Sequence, residues 1–251
     1  MKIAKRQFMT EERLRSGYVI VLPGIEGYSF LNRRIVKGLI QGGLPHAVEI
    51  HDWTCRWRIG LPMFLYNLRS RRLHDQEGAV IVDKIRRYQQ DYPNRPVFLI
   101  GHSGGGGMTM VTLEQLPPEH TIDGAILLGG AISPTYDARK GLRRVTRGVW
   151  NLYSCGDFLF LGLMTIFAGT FDGRHSCCSG MLGFRSRDQT GAPDPKLFSI
   201  PFRREFLRFG NWGGHFGYTS PRFVQQFLLP LITTTNSSTS APELSTQHAF
   251  R

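Results

Sequence analysis

Short, wholly apolar segments recur along this chain, and they constrain its fold more than any other feature of the sequence. They are rich in Val, Ile and Leu, and several of the stretches between them have apolar residues at helical spacing. Strands without a polar face, alternating with helices, are typical of a mainly parallel sheet covered by helices on both sides. We predict a three-layer α/β fold with six strands, at residues 18–22, 47–51, 96–100, 122–128, 148–153 and 196–200.

Helical periodicity and turn residues predict the elements that cover this sheet. Residues 29–42 have the spacing of a helix, with Ser29 as a candidate N-cap and Gly42 as a candidate C-cap. Further helices are predicted at residues 78–92, 108–116 and 221–229. The longest apolar run, residues 158–171, is too short to span about 30 Å of hydrocarbon as a helix. We expect a buried helix there, or an apolar cap segment over residues 158–184.

The composition predicts one domain with distinct flanks. The chain has 251 residues, 41% of them hydrophobic, which excludes a disordered chain. We expect an α/β domain over residues 18–232, a basic N-terminal extension over residues 1–17 and a disordered Ser/Thr-rich tail over residues 233–251. Residues 1–17 lack the apolar segment of a secretory signal. Together with four cysteines that have no C-x-x-C spacing, this favours a cytoplasmic protein with reduced thiols.

The chain is strongly basic, with 31 Lys and Arg residues against 19 Asp and Glu and a formal net charge of +12. The basic residues are spread along the sequence and form no nucleic-acid-binding motif, so nucleic acid is an unlikely partner. The charge favours anionic ligands or peripheral contact with an anionic membrane surface. A solvated basic surface is the simpler alternative.

One glycine-rich turn carries the strongest chemical signal in the sequence. Residues 101–105 read Gly-His-Ser-Gly-Gly, a G-x-S-x-G pattern between a predicted strand and a predicted helix. Small residues flank the serine because such a turn is sharp, and the hydroxyl of Ser103 then stands at the carboxyl edge of the sheet. The first N–H groups of the helix point to the same place and favour negative charge there. A capping role for Ser103 is the structural alternative.

An acid and a histidine follow this serine in the order that nucleophilic catalysis uses. His215 lies in a glycine-rich loop late in the chain and is the candidate base. Asp157 follows a predicted strand and is the candidate acid that orients the imidazole, although it could instead cap a helix. Asp137 and Asp172 compete for the acid role. His102, inside the motif, is expected to serve packing.

An earlier loop, Pro23 to Gly27, is a candidate second wall of the site. The backbone N–H of Gly104, directly after the serine, and that of Ile25 in this loop are the candidate oxyanion-hole donors. An ordinary strand-to-helix connection is the alternative for the loop. No P-loop, G-x-G-x-x-G, HExxH or acidic Ca²⁺ pattern is present, so we expect neither a cofactor nor a metal.

These motifs, with the Gly213-Gly-His-Phe-Gly217 loop and the Tyr153-Ser-Cys-Gly-Asp157 turn, resemble the α/β-hydrolase superfamily over roughly residues 18–229. The resemblance implies a serine hydrolase of the esterase, lipase, thioesterase or peptidase kind. The sequence departs from the full α/β-hydrolase pattern in two places. Only 17 residues precede Tyr18, which implies a reduced sheet, and Pro23 stands where many members have His.

The sequence thus predicts a serine hydrolase that cleaves an ester, thioester or related acyl bond through an acyl-enzyme on Ser103. Its substrate would be a small acyl or lipid-like molecule. The excess of Lys and Arg over Asp and Glu favours an anionic one. Two other classes stay open. One is a hydrolase-fold protein that binds an apolar or acylated ligand without turnover. The other is a basic membrane-surface protein that uses residues 158–171 as an interfacial patch.

Overall fold

A single six-stranded sheet forms the centre of the molecule in the computed structural model, which describes residues 8–55, 60–158, 164–185, 192 and 194–234. All neighbouring strands are parallel, as predicted. The strands are β1 Tyr18–Leu22, β2 Ala47–Ile50, β3 Val97–His102, β4 Ile122–Leu128, β5 Val145–Tyr153 and β6 Leu197–Pro201. Each predicted strand is present, and the bounds of β1 and β4 match the prediction.

The strand order, β2-β1-β3-β4-β5-β6, reverses direction between β1 and β3. The chain moves outward from β1 to β2 and then crosses back to β3, so the loops that follow β1 and β3 diverge. Leu22 and Gly101, near the carboxyl ends of these strands, are register partners. Open α/β sheets bind their ligands in the crevice at such a reversal, and both the Pro23–Gly27 loop and Ser103 lie there.

Helices cover the sheet on both faces. The α-helices are α1 Glu11–Ser16, α2 Phe30–Gln41, α3 Leu61–Arg69, α4 Arg71–Asp91, α5 Gly104–Gln115, α6 Arg139–Leu142, α7 Met164–Phe167, α8 Ser179–Leu182, α9 Pro221–Phe223 and α10 Leu229–Thr233. Two 3₁₀ segments, Arg204–Phe209 and Gly217–Thr219, follow β6, and a π-helical stretch, Val224–Leu228, joins α9 to α10. Pro230, which lacks an N–H to donate, accounts for the π geometry just before it.

The predicted helices are present with shifted bounds. Ser29 caps α2 as predicted, because its hydroxyl accepts a hydrogen bond from the Leu31 N–H. The helix predicted at residues 78–92 begins earlier, at Arg71, where Ser70 caps it. The helix predicted at residues 108–116 also begins earlier, at Gly104, so it starts directly after Ser103.

The core has two apolar layers, one on each face of the sheet, because side chains alternate along every strand. Side chains 18, 20 and 22 of β1 pack with α4, α5 and α6, whereas side chains 19 and 21 pack with α2 and the C-terminal helices. Since both faces are covered, β1 and β3 are buried at every residue. This explains the continuous apolar runs that identified the strands.

The apolar run at residues 158–171 differs from its prediction. Residues 159–163 lie outside the described part of the chain, and the rest is not a buried helix. The described α-helix of the run, Met164–Phe167, is short, Phe167 is 77% exposed, and Phe158 is 51% exposed. Phe171, at the end of the run, is buried against Gly107 of α5. The expectation of a core helix is therefore wrong for the described residues, since a hydropathic run does not reveal which side chains face inward.

The two predicted flanks are described only in part. Residues 8–17 are folded onto the domain, where the Phe8 carbonyl accepts a hydrogen bond from the Val48 N–H of β2. The tail predicted from residue 233 lies outside the described residues after residue 234. Of the helices that the structure describes, none has both the length and the hydropathy that crossing a membrane requires.

Candidate active site

Ser103 occupies a strained backbone position between β3 and α5. Its φ of 55° and ψ of −119° fall in a region that residues other than glycine rarely adopt. Such positions cost roughly 1–3 kcal/mol and persist where the surroundings fix them. The Ser103 N–H donates to the Leu128 carbonyl (3.0 Å), and its own carbonyl accepts from the N–H groups of Gly106 (3.0 Å) and Ala131 (3.1 Å).

The flanking glycines are required by the sharpness of the turn. A β-carbon on Gly101 would lie 2.5 Å from the carbonyl carbon of Gly105, and one on Gly105 would lie 2.5 Å from the Pro23 carbonyl oxygen. The Ser103 side chain makes no capping hydrogen bond to α5. The capping alternative is therefore wrong, and the geometry is that of a nucleophile elbow.

Asp157 and His215 form a buried pair at the same edge of the sheet. His215 Nδ1 lies 2.6 Å from Asp157 Oδ2, and the exposed fractions of the two residues are 8% and 1%. A carboxylate accepts hydrogen bonds, so Nδ1 carries the proton and Nε2 is left as the basic nitrogen. Asp157 follows the end of β5, and His215 follows β6 and the Arg204–Phe209 segment, as the sequence order predicts.

The two competing acids have other partners. Asp137 is exposed, and its carboxylate makes a two-pronged contact with the Arg139 guanidinium at 2.7 and 2.6 Å. Asp172 accepts hydrogen bonds from the Ser133 N–H (2.8 Å), the Ser133 hydroxyl and the Thr170 hydroxyl (2.7 Å), so it ties two loops together. Of the three acids, Asp157 is the one bonded to His215.

His102 is buried next to this pair. Its ring centroid lies 4.8 Å from that of His215, and its Nε2 lies 3.1 Å from the His215 carbonyl oxygen, to which it donates. Burial, with the charge of His215 as a smaller contribution, lowers the pKa of His102 to about 3, so this ring is neutral. The sequence predicted packing for His102, and the structure adds a hydrogen bond that ties the His215 loop to the elbow.

The loop after β1 approaches the start of α5 closely. A β-carbon built on Gly104 would lie 3.4 Å from the Ile25 nitrogen, so the two predicted oxyanion donors are on adjoining segments. Trp53 Nε1 donates to the Pro23 carbonyl (2.8 Å), and Asn67 Nδ2 donates to the Ile25 carbonyl (3.0 Å). Both side chains are fully buried. They hold the loop in place, and sequence reasoning missed both of them.

Glu26 places a carboxyl group beside Ser103, which the sequence also did not reveal. A β-carbon on Gly24 would collide with a Glu26 carboxylate oxygen and lie 3.1 Å from the Ser103 β-carbon, so both side chains flank one point. Burial raises the pKa of Glu26, although two backbone hydrogen bonds, the electrostatic interaction with His215 and the Ser29 hydroxyl (3.3 Å) oppose this shift.

An open crevice of about 500 Å³ adjoins the Asp157–His215 pair. It is lined by glycines of the loop after β5 and of the stretch 210–217, and by the side chains of Trp212 and Phe216, which are 77% and 46% exposed. Arg34, from α2, also lines it. Among the residues that the structure describes, no group of three or more His, Cys, Asp or Glu side chains is placed to hold a metal ion.

Comparison with known proteins finds a family model that matches the central part of the chain. Residues 76–154, which contain β3, the elbow, α5, β4 and β5, match the family model described as "Serine aminopeptidase, S33". The six-stranded parallel sheet with helices on both faces is an α/β-hydrolase-like fold. No curated protein sequence matches the chain.

Solved structures of hydrolases resemble this chain at low sequence identity. A dienelactone hydrolase from Anabaena variabilis is 18% identical, with 85% of this chain and 84% of that chain covered and a TM-score of 0.49. A predicted CIB-like hydrolase from Thermoplasma acidophilum is 15% identical (88% and 87% covered, TM-score 0.45). A cutinase-like protein from Cryptococcus sp. is 18% identical (85% and 91% covered, TM-score 0.40). At these values, none of them bears on the substrate.

The structure describes both places where the sequence departs from the usual α/β-hydrolase pattern. The described residues form six strands, so the sheet is reduced as expected. Pro23 stands at the start of the loop after β1, and its carbonyl is the group that Trp53 holds. Because proline has no backbone N–H, residue 23 provides a carbonyl acceptor for Trp53 and no backbone donor.

Proposed function

We propose that this protein is a serine hydrolase that cleaves an ester, thioester or related acyl bond through an acyl-enzyme on Ser103. The observation that carries the proposal is the buried His215–Asp157 pair, 2.6 Å apart, at the sheet edge where Ser103 sits in a strained elbow. Because a buried carboxylate accepts a hydrogen bond from Nδ1–H, Nε2 is the nitrogen that would act as the base. The substrate would be a small acyl or lipid-like molecule.

The proposed reaction has two halves. The Ser103 hydroxyl attacks the acyl carbon and its proton passes to His215 Nε2, while Asp157 stabilises the imidazolium. The backbone N–H groups of Gly104 and Ile25 would receive the negative oxygen of the tetrahedral intermediate. The intermediate collapses, and His215 protonates the leaving group. Water then attacks the acyl-enzyme with His215 again as the base, which releases the acid and restores Ser103.

Labelling with a fluorophosphonate probe tests this proposal, because the probe reacts with an activated serine. We expect the wild type to label, Ser103→Ala to lose all labelling, and His215→Ala to slow it by about 10³-fold or more. Asp157→Asn should slow labelling by roughly 10²- to 10⁴-fold, since the imidazole loses its orientation. Asp137→Asn is the matched control and should label at the wild-type rate.

A folded wild type that does not label would overturn the catalytic proposal. It would leave ligand binding without turnover as the function to test. Labelling that survives Ser103→Ala would also contradict the proposal, because the reactive group would then lie elsewhere. Circular dichroism of each variant separates loss of reactivity from loss of fold.

Exposed apolar residues in the run after Asp157 support peripheral membrane contact as a second candidate function. Phe158, Ile166 and Phe167 are exposed on a protein whose formal charge is +12, and apolar anchors with basic charge favour anionic lipid surfaces. Flotation with vesicles containing phosphatidylserine should recover the protein at low salt and less of it at high salt. Equal recovery with purely zwitterionic vesicles would contradict a charge-driven contact.

A further inference from the structure

Arg34 differs from the other half-buried arginines described in the fold. Arg13 donates to the carbonyls of Leu44 and His46, Arg144 donates to the Leu116 carbonyl, and Arg147 donates to the Ile232 carbonyl. Within the described part of the chain, Arg34 forms no hydrogen bond and no ion pair. The guanidinium stands over the Phe30 ring, whose centroid lies 5.8 Å from the guanidinium carbon.

The Nε atom of Arg34 makes this isolation significant. It is shielded from solvent and has no hydrogen-bond partner among the described residues. Buried donors on charged groups are rarely left unpaired in folded proteins, because the lost hydration is not replaced. The two terminal NH2 groups of the guanidinium are donors as well, and a planar anion in the crevice, such as a carboxylate or a phosphate, can accept two parallel hydrogen bonds from them.

The position of Arg34 relates it to the reaction. It borders the same crevice as His215 and Asp157, and Trp212 and Phe216 also line that crevice. In the proposed mechanism His215 protonates the leaving group, so the leaving group lies on the His215 side of the broken bond. Asp157 also borders the crevice, but its carboxylate is buried and bonded to His215.

Resting on the function proposed above, we propose that this crevice binds the leaving group of the substrate and that Arg34 binds an anionic substituent on it. The substrate class is then an ester or related acyl compound whose alcohol, phenol or thiol portion carries a carboxylate or phosphate. Trp212 and Phe216 provide the apolar contacts for the part of the leaving group between the anion and the reacting oxygen or sulfur. Arg34 sets specificity and touches no reacting atom.

Two acetate esters with the same acyl group test this assignment. In 4-acetoxybenzoate the leaving group is anionic, and in methyl 4-acetoxybenzoate it is neutral. We expect Arg34→Gln to lower kcat/KM for the anionic ester by about 10- to 100-fold, mainly through KM, and to change that of the neutral ester by less than about threefold. The ratio between variants cancels the intrinsic reactivity of the two esters.

Arg33→Gln is the matched control, because Arg33 is the exposed neighbour on the same helix and borders a separate groove with Val36 and Lys37. It should leave both esters within about twofold of the wild type, although it removes the same charge. Equal losses for both esters in Arg34→Gln, or equal losses in Arg33→Gln and Arg34→Gln for the anionic ester, would overturn the assignment.

A direct measurement of ligand binding tests the role of Arg34 independently of the proposed hydrolase activity. Calorimetric titration with 4-hydroxybenzoate, the released leaving group, needs no turnover. We expect binding to the wild type and to Ser103→Ala, at least tenfold weaker binding to Arg34→Gln, and no comparable effect with methyl 4-hydroxybenzoate. Fluorophosphonate labelling without Arg34-dependent binding overturns only this inference, whereas binding without labelling overturns only the hydrolase proposal.

Discussion

The two sides of the candidate site are built in opposite ways. On the Ser103 side, backbone approaches backbone, and buried donors from Trp53 and Asn67 hold the loop after β1. On the His215 side, the walls are exposed aromatic rings and Arg34, whose Nε has no partner in the described structure. A reactive centre needs groups held in advance, whereas a recognition surface needs groups that a ligand can complete. Under the proposed function, the contrast separates the reacting groups from the groups that recognise the substrate.

The largest expected difference between the two sides is in tolerance of a single methyl group. Gly101→Ala would place a β-carbon 2.5 Å from the carbonyl carbon of Gly105, whereas a β-carbon on Gly214, in the His215 loop, meets nothing within 4 Å. We expect Gly101→Ala to cost about 4 kcal/mol or more and to lower Tm by roughly 10 °C. Gly214→Ala should change Tm by less than about 2 °C. Calorimetry on both variants checks this, and similar Tm values would contradict the contrast.

The next effect concerns the hydrogen bond that holds the loop. Trp53→Phe removes the donor to the Pro23 carbonyl and leaves that carbonyl buried, at a cost of about 1–3 kcal/mol. We expect fluorophosphonate labelling to slow about tenfold as Ile25 loses its fixed position. Trp150→Phe is the matched control, since Trp150 is also buried but its Nε1 has no partner among the described residues.

The control variant defines what would contradict this expectation. Trp150→Phe shortens a core ring by a similar amount, so it should destabilise the protein modestly and leave labelling within about twofold of the wild type. Equal slowing in the two variants would mean that general loosening of the core, rather than the loop, controls the reactivity of Ser103.

The smallest expected effect concerns Glu26, a buried carboxyl group on the Ser103 side of the site. Burial raises the pKa of Glu26, so its ionisation opposes folding. The stability associated with the neutral carboxyl is fully present below the unfolded-state pKa and is lost as pH rises through the folded-state pKa. Glu26→Gln should therefore raise Tm by about 2 °C at pH 7 and leave it unchanged at pH 4.

Thermal unfolding across this pH range, with the exposed Glu119→Gln as a control, checks the sign. A Tm increase that is the same at both pH values would show that Glu26→Gln acts by packing. A Tm decrease at pH 7 would contradict the unfavourable burial of the Glu26 charge. Glu119→Gln should alter Tm by less than about 1 °C at either pH, because Glu119 is exposed.

Much of the fold and the position of the candidate nucleophile could be predicted from local sequence. β1 and β3 are buried on both faces, so their residues form nearly uninterrupted apolar runs, and the turn after β3 requires glycine at positions 101 and 105. The apolar run at residues 158–171 misled because hydropathy does not distinguish Phe171, which is buried, from Phe167, which is exposed.

The supporting residues of the site could not be predicted, because they act over long distances in sequence. Trp53 is 30 residues from the carbonyl that it binds, and Asn67 is 42 residues from its own partner. The segment that contains them has no clear periodicity. Glu26 and Arg34 have no sequence signal either, since what distinguishes them is an environment assembled by separate loops.

The run of glycines that opens α5 also determines where this protein can acquire new specificity. β-Carbons on Gly104, Gly105 and Gly107 would meet Ile25, the Pro23 carbonyl and the Phe171 ring within 2.7 Å. Larger side chains do not fit at the start of α5. Substitutions that change the substrate preference therefore cannot occur at these glycines. If the proposed function holds, changes in specificity are confined to the loops and the helix that border the crevice, where Trp212, Phe216 and Arg34 can be exchanged without altering the backbone at Ser103.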